Sequence, residues 1–152
     1  MATLSPAFSA DSKKIHSEHQ TLLNDLAQFE RALDSVDCYS EVFANLAALG
    51  EVARFGRRLN EQLPEHFARE EEKLLVPVAQ VSPELGDLVE ELKREHEDLR
   101  ARLAVFSLAV QELESADDLY DAIWQVKELG KELTREITRH VALEESELEG
   151  FL

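Results

Sequence analysis

This chain repeats itself at helical spacing, and the repeat limits its possible folds more than any other feature. Glu18-His19-x-x-Leu22-x3-Leu26-x2-Phe29 recurs as Glu95-His96-x-x-Leu99-x3-Leu103-x2-Phe106, each pair 77 residues apart. Val52, Gly56, Leu59, Leu63, His66, Glu70, Glu71 and Leu74 recur as Val126, Gly130, Leu133, Ile137, His140, Glu144, Glu145 and Leu148, each pair 74 apart. Leucines in helical sequence coincide easily. Two His-x3-Glu motifs, each with a glycine ten residues ahead of the histidine, do not. The chain reads as a duplicated helical hairpin.

Apolar residues three and four apart mark one face of a helix. After Ser12, Ile15, Leu22, Leu26, Phe29 and Leu33 define the first, and a polar break follows over residues 34–40. The second carries Leu49, Val52, Leu59, Leu63 and Leu74, with Pro64 expected to kink or split it and an end expected near Pro77. Ser82-Pro83-Glu84 is a start signal, a capping Ser with Pro at the first helical position. The third helix carries Leu85, Leu88, Leu92, Leu99, Leu103, Phe106, Val110 and Leu113. Ser115 with Asp118 resembles a capping box with Asp in the place of Glu. The fourth helix carries Leu119, Ile123, Val126, Leu133, Ile137 and Leu148. Short connections then predict an all-α, antiparallel up-down-up-down four-helix bundle over residues 12–152, with residues 1–11 as an N-terminal tail.

Charge narrows the partners. There are 32 acidic against 16 basic residues, a net charge of −16, which repels nucleic acid and anionic membrane surfaces. No run of 18 apolar residues is present, so no bilayer span is expected, and residues 1–12 lack the pattern of a signal peptide. The single cysteine, Cys38, excludes an internal disulfide framework and fits a reducing cytoplasm, the expected location.

Each apolar stripe is interrupted by a residue that belongs in water. His19 falls between Ile15 and Leu22, and His96 between Leu92 and Leu99. His66 and Glu70 interrupt the second helix, His140 and Glu144 the fourth. At about 1.5 Å per residue, all four histidines lie about 15–20 Å from the same end of the bundle. A His and a Glu four apart are about 40° apart around a helix, so both reach one centre. A carboxylate buried there costs several kcal/mol unless it is paired or ligated. Four imidazoles and two carboxylates without a thiolate suit iron, manganese or zinc. Carboxylates on facing helices can bridge two metals.

Glu18-His19, His66-Phe67-x-x-Glu70-Glu71-x-x-Leu74, Glu95-His96 and His140-x3-Glu144-Glu145 make the sequence resemble the hemerythrin-like, or HHE cation-binding, family over residues 12–150. The resemblance implies a four-helix bundle holding a non-haem di-iron centre, bridged by two carboxylates and an oxo or hydroxo group. His19, His66, Glu70, His96, His140 and Glu144 would be the ligands. It implies a protein that binds or senses dioxygen, nitric oxide or peroxide, or takes part in iron homeostasis. Oxygen-carrying hemerythrins use five histidines, two of them on one turn of the third helix. Here Leu92 precedes His96 by one turn, and His16 is the one candidate replacement. That departure favours redox reactivity or metal sensing over simple oxygen carriage.

Two other function classes are compatible with the same residues. One is a di-iron enzyme acting on peroxide or nitric oxide. The other is a metal-stabilised module that binds a protein partner without redox chemistry. Glu71 and Glu145 lie about 100° further round their helices and are expected at the surface, with Glu145 kept as a further ligand candidate from the resemblance. Gly56 and Gly130 are expected to mark close helix packing. Cys38 is expected to be an ordinary loop thiol, and Tyr39, Tyr120 and Trp124 to pack at the end far from the metals.

Overall fold

The computed structural model describes residues 5–37 and 42–152. Four long helices carry the fold: α1 (Pro6–Asp34), α2 (Val42–Glu70), α4 (Pro83–Glu112) and α5 (Leu119–Glu147). A π-helical turn, Glu71–Leu75, and a short α3, Val76–Ala79, extend α2 toward α4. Helix α1 packs on α2 and α5, and α4 packs on the same two, which closes a four-membered ring. Among the described residues no helix is long and apolar enough to cross a membrane.

The helix starts follow side-chain chemistry. Ser82 Oγ accepts from Leu85 N at 3.2 Å, with Pro83 at the first helical position, as read from the sequence. Helix α1 begins at Pro6, so residues 6–11, assigned to the tail, are helical. Ser5 Oγ caps Phe8 N, and Ser5-Pro6 is the same signature as Ser82-Pro83 at the same offset of 77. The cap of α5 is Asp118, which accepts from Asp121 N, and not Ser115. Asp118 has the extended backbone a cap requires, while Ser115 N still bonds back to Glu112 O. Pro64 lies inside an unbroken α2. Leu59, Leu63 and Phe67 anchor that stretch in the core, outweighing the backbone bond that proline removes. The departure from α geometry comes later, at Glu71.

The stripes bury two apolar clusters. The larger, with Leu26, Phe29, Leu59, Leu103, Phe106 and Leu133 among its members, draws on all four long helices. The smaller is built from Phe8, Ile15, Leu74, Leu75, Val78, Val89, Leu92 and Leu148 at the other end. Gly56 and Gly130 sit in the larger cluster as close-packing positions. A methyl on Gly56 would lie 2.8 Å from Phe106 Cε1, and one on Gly130 would lie 2.7 Å from Leu33 Cδ2 and 3.2 Å from Phe106 Cε2. Tyr120 and Trp124 do not pack inside: both are about half exposed. Ile123 and Val126 take the inward positions, and Trp124 is turned about 100° from Ile123. Cys38 and Tyr39 lie outside the described residues.

Candidate metal centre

The six polar interruptions form one layer between the two apolar clusters. His19 comes from α1, His66 and Glu70 from α2, His96 from α4, and His140 and Glu144 from α5; all six are buried. Their spacing decides this. A residue in phase with an apolar stripe is carried inward with it, whatever its polarity. Two groups of donor atoms result, each lying within 4.8 Å of one another: His19, His66 and Glu70 in one, Glu70, His96, His140 and Glu144 in the other. Glu70 belongs to both.

The inner faces of the imidazoles crowd the two carboxylates. Glu70 Oε1 lies 2.7 Å from His19 Nε2 and 2.5 Å from His66 Nε2. Glu70 Oε2 lies 3.0 Å from His96 Nε2, and Glu144 Oε1 lies 3.3 Å from the same atom. Glu144 Oε1 also contacts His140 Nε2, and Glu144 Oε2 is 3.5 Å from His19 Nε2. Close approach does not satisfy every atom: Glu70 Oε2, Glu144 Oε2 and His140 Nε2 are buried without a well-aligned hydrogen bond. Such orphans are costly in a dry interior. A cation between them removes the cost, so nitrogen and oxygen lone pairs converging at one depth fit metal ions.

The outer nitrogen of every imidazole is held by a second carboxylate. His19 Nδ1 donates to Glu145 at 2.8 Å, and His96 Nδ1 to Glu71 at 3.0 Å. His66 Nδ1 donates to Glu18 at 3.1 Å, and His140 Nδ1 to Glu95 at 2.6 Å. The pattern obeys the repeat: Glu145 and Glu71 are counterparts, as are Glu18 and Glu95. Arg69 grips Glu18 with two bonds of 2.8 and 2.9 Å, and Arg139 lies 3.4 Å from Glu95. A carboxylate on Nδ1 fixes the tautomer, leaves Nε2 as the free donor and aims the ring. Sequence reasoning missed this role for Glu18, Glu71 and Glu95. The available signal was that His19, Glu70, His96 and Glu144 each have a glutamate as chain neighbour, on the same side in both repeats.

His16 and Glu145 stand outside both donor groups. The His16 ring is about half exposed, and its Nδ1 meets Glu145 at 2.9 Å. Glu145 thereby ties two α1 histidines to α5.

Burial pulls the four inner histidines toward neutrality, but their carboxylate partners outweigh it. Glu144 and Glu70 push His19 up to about 11 and His96 up to about 10. His66 is raised chiefly by Glu70, and His140 chiefly by Glu144. Burial pushes Glu70 up, yet the surrounding imidazoles hold it well below the usual carboxylate range. Glu144 is lowered too, against burial and the neighbouring Glu70 charge. Glu18 stays ionised because Arg69 and His66 outweigh its burial. Without metal, the buried carboxylates favour the protonated form of all four imidazoles.

The whole of this arrangement falls inside one family match. The family described as hemerythrin HHE cation binding domain matches residues 10–152. Comparisons with curated proteins and with solved structures gave no match.

Proposed function

Since the chain belongs to the hemerythrin HHE cation-binding family, we propose that its polar layer holds two metal ions, iron foremost, and uses them to bind or sense dioxygen, nitric oxide or peroxide. The observation that carries this reading is the double bonding of each imidazole. Four Nδ1 atoms are tied outward to carboxylates, while four Nε2 atoms converge on Glu70 and Glu144. His19, His66 and Glu70 would hold one ion, and His96, His140 and Glu144 the other, with Glu70 placed to reach both. Bound iron supplies a change of oxidation state and an open position for a small ligand. Manganese or zinc would satisfy the same donors without the same redox chemistry.

The chain's own residues do the rest. The outer glutamates orient the rings. The apolar clusters on either side exclude water and strengthen each electrostatic contact in the layer. Binding metal requires the imidazoles to release their Nε2 protons, so affinity rises with pH. His16 and Glu145 brace α1 against α5 and stay outside the ligand set.

The test is metal analysis with an optical spectrum on protein loaded with iron. Two irons per chain in the wild type, a content well below two in His96→Ala, and spectral changes on adding peroxide, nitric oxide or dioxygen are expected. Full metal content in His96→Ala overturns the site as drawn. Zinc alone in a colourless sample after iron loading overturns the redox role. Steady-state consumption of peroxide or nitric oxide with a reductant would make the protein an enzyme instead of a sensor.

A further inference from the structure

The repeat also allows a comparison at the end of the bundle away from the polar layer. Helices α2 and α4 meet along a groove of about 520 Å³, walled by Leu46, Leu49, Ala53, Val110, Leu113 and Leu119. Its repeat copy is the junction of α5 with α1, and the two differ. Where α5 carries Trp124 and Lys127, α2 carries Gly50 and Ala53. Where α1 carries Leu33, α4 carries Val110. Among the described residues, a methyl on Gly50 would meet nothing within 4 Å. Smaller side chains at these positions leave the α2–α4 junction open.

The charges differ as well. At the α5–α1 junction Lys131 pairs with Asp34, and Lys127 Nζ donates to Val36 O at 2.6 Å. The counterpart of Lys131 is Arg57 and that of Asp34 is Gln111, and both line the groove. The cation is kept, while its carboxylate is replaced by a neutral amide. Arg54 and Arg58, on the same helix, are bound to Glu51 and Asp25. Among the described residues Arg57 has no hydrogen bond or ion pair. In a chain with 32 acids against 16 bases, an arginine without an acid leaves room for an anion from outside.

We propose that the α2–α4 groove binds a medium-chain fatty acid, whose carboxylate takes the place at Arg57 that Asp34 holds at Lys131. The guanidinium offers two parallel donors to a carboxylate. The tail lies along Ala53, Leu49 and Val110 toward Leu46, which is eleven residues from Arg57, about 16 Å along α2. Burying that tail supplies the affinity. Glu114 also lines the groove, three residues beyond Gln111, and repels the headgroup from that end. Charge therefore sets the orientation of the ligand.

The test is calorimetric titration of the full chain with decanoate below its micelle-forming concentration, beside decan-1-ol, the same chain without the charge. One decanoate per chain is expected, with decan-1-ol about tenfold weaker or more. Arg57→Gln should weaken decanoate about tenfold, and Lys131→Gln should leave it unchanged. Gly50→Trp, which copies Trp124 into the groove, should abolish binding at unchanged helix content. Amide chemical shifts on titration should move most at Gly50, Ala53 and Val110. Metal content should be the same in Arg57→Gln as in the wild type. The proposal is overturned by no decanoate binding, by equal affinity for decan-1-ol, by an unaffected Arg57→Gln, or by shifts centred elsewhere. Each of those results leaves the metal centre standing, and a Gly50→Trp that fails to fold leaves the decision to Arg57→Gln and the shifts.

Discussion

The two apolar clusters on either side of the polar layer are built differently. The larger takes side chains from all four long helices. Phe29 and Phe106 meet edge-on at 5.5 Å in its middle, and Phe106 fills the space left by Gly56. The smaller is made of helix ends, the π-helical turn and α3, with the Phe8 ring edge-on to Phe151 at 6.4 Å. Among the described residues it forms a cluster separate from the larger one, with the buried histidines and glutamates between them. The contrast teaches that one end of this bundle is held by packing, and the other by whatever neutralises the layer beneath it.

The largest test of that contrast is Phe106→Ala. Emptying the larger cluster should cost about 3–5 kcal/mol in urea unfolding, with two metals per chain retained by the folded protein. Loss of metal from the folded variant would show that the two ends are not independent.

The next is pH on metal-free protein. His19 and His96 sit at about 11 and 10 when folded, above the ordinary 6.5. Stabilisation by a raised histidine is complete below about 6.5 and is lost as pH climbs through the folded value. The melting temperature in chelator should therefore fall from pH 6 toward pH 10, and amide exchange should quicken first in the smaller cluster. With metal bound the imidazoles are neutral, and this alkaline fall should vanish. A flat metal-free profile would remove the imidazolium–carboxylate balance described for the layer.

Glu95→Gln probes the outer carboxylates. It keeps every inner donor but weakens the grip on His140 Nδ1, so metal affinity should drop about 10–100-fold in competition titrations. An unchanged affinity would make Glu95 a surface residue in effect. The smallest effects separate the two glycines. Gly130→Ala meets Leu33 and Phe106 together, whereas Gly56→Ala meets the Phe106 edge alone. Overpacking of about 1–3 kcal/mol is partly offset by about 1 kcal/mol of helix propensity. Gly130→Ala should thus be the less stable of the two by thermal melting, and a reversed order would place the tighter contact at α2.

Much of this was legible in the residues. A histidine in phase with leucines betrays itself by breaking the stripe, so His19, His66, His96 and His140 stood out with Glu70 and Glu144. The outer glutamates did not. In a chain with 32 acids, Glu18, Glu71 and Glu95 look like ordinary solvated surface, and only packing shows which of them an imidazole reaches. The π-helical turn at Glu71–Leu75 has no local signature in its residues. Trp124 faces outward because Ile123 beside it holds the inward position, and an aromatic residue says nothing of its phase. Ser5-Pro6 was readable as a helix start, being a copy of Ser82-Pro83.

The division of donors between the hairpins has an ancestral consequence. The first hairpin brings His19, His66 and Glu70, and the second brings His96, His140 and Glu144, so each carries one complete set. Two copies of a single hairpin, related by a twofold axis in an isologous dimer, would present the same six groups. The segment from Gln80 to Ser82 does covalently what such a dimer would do by mass action, holding the second set near the first at an effective concentration in about the millimolar range. Within one chain the two halves need not match, and they differ at Phe67 against Val141 and at Thr21 against Asp98.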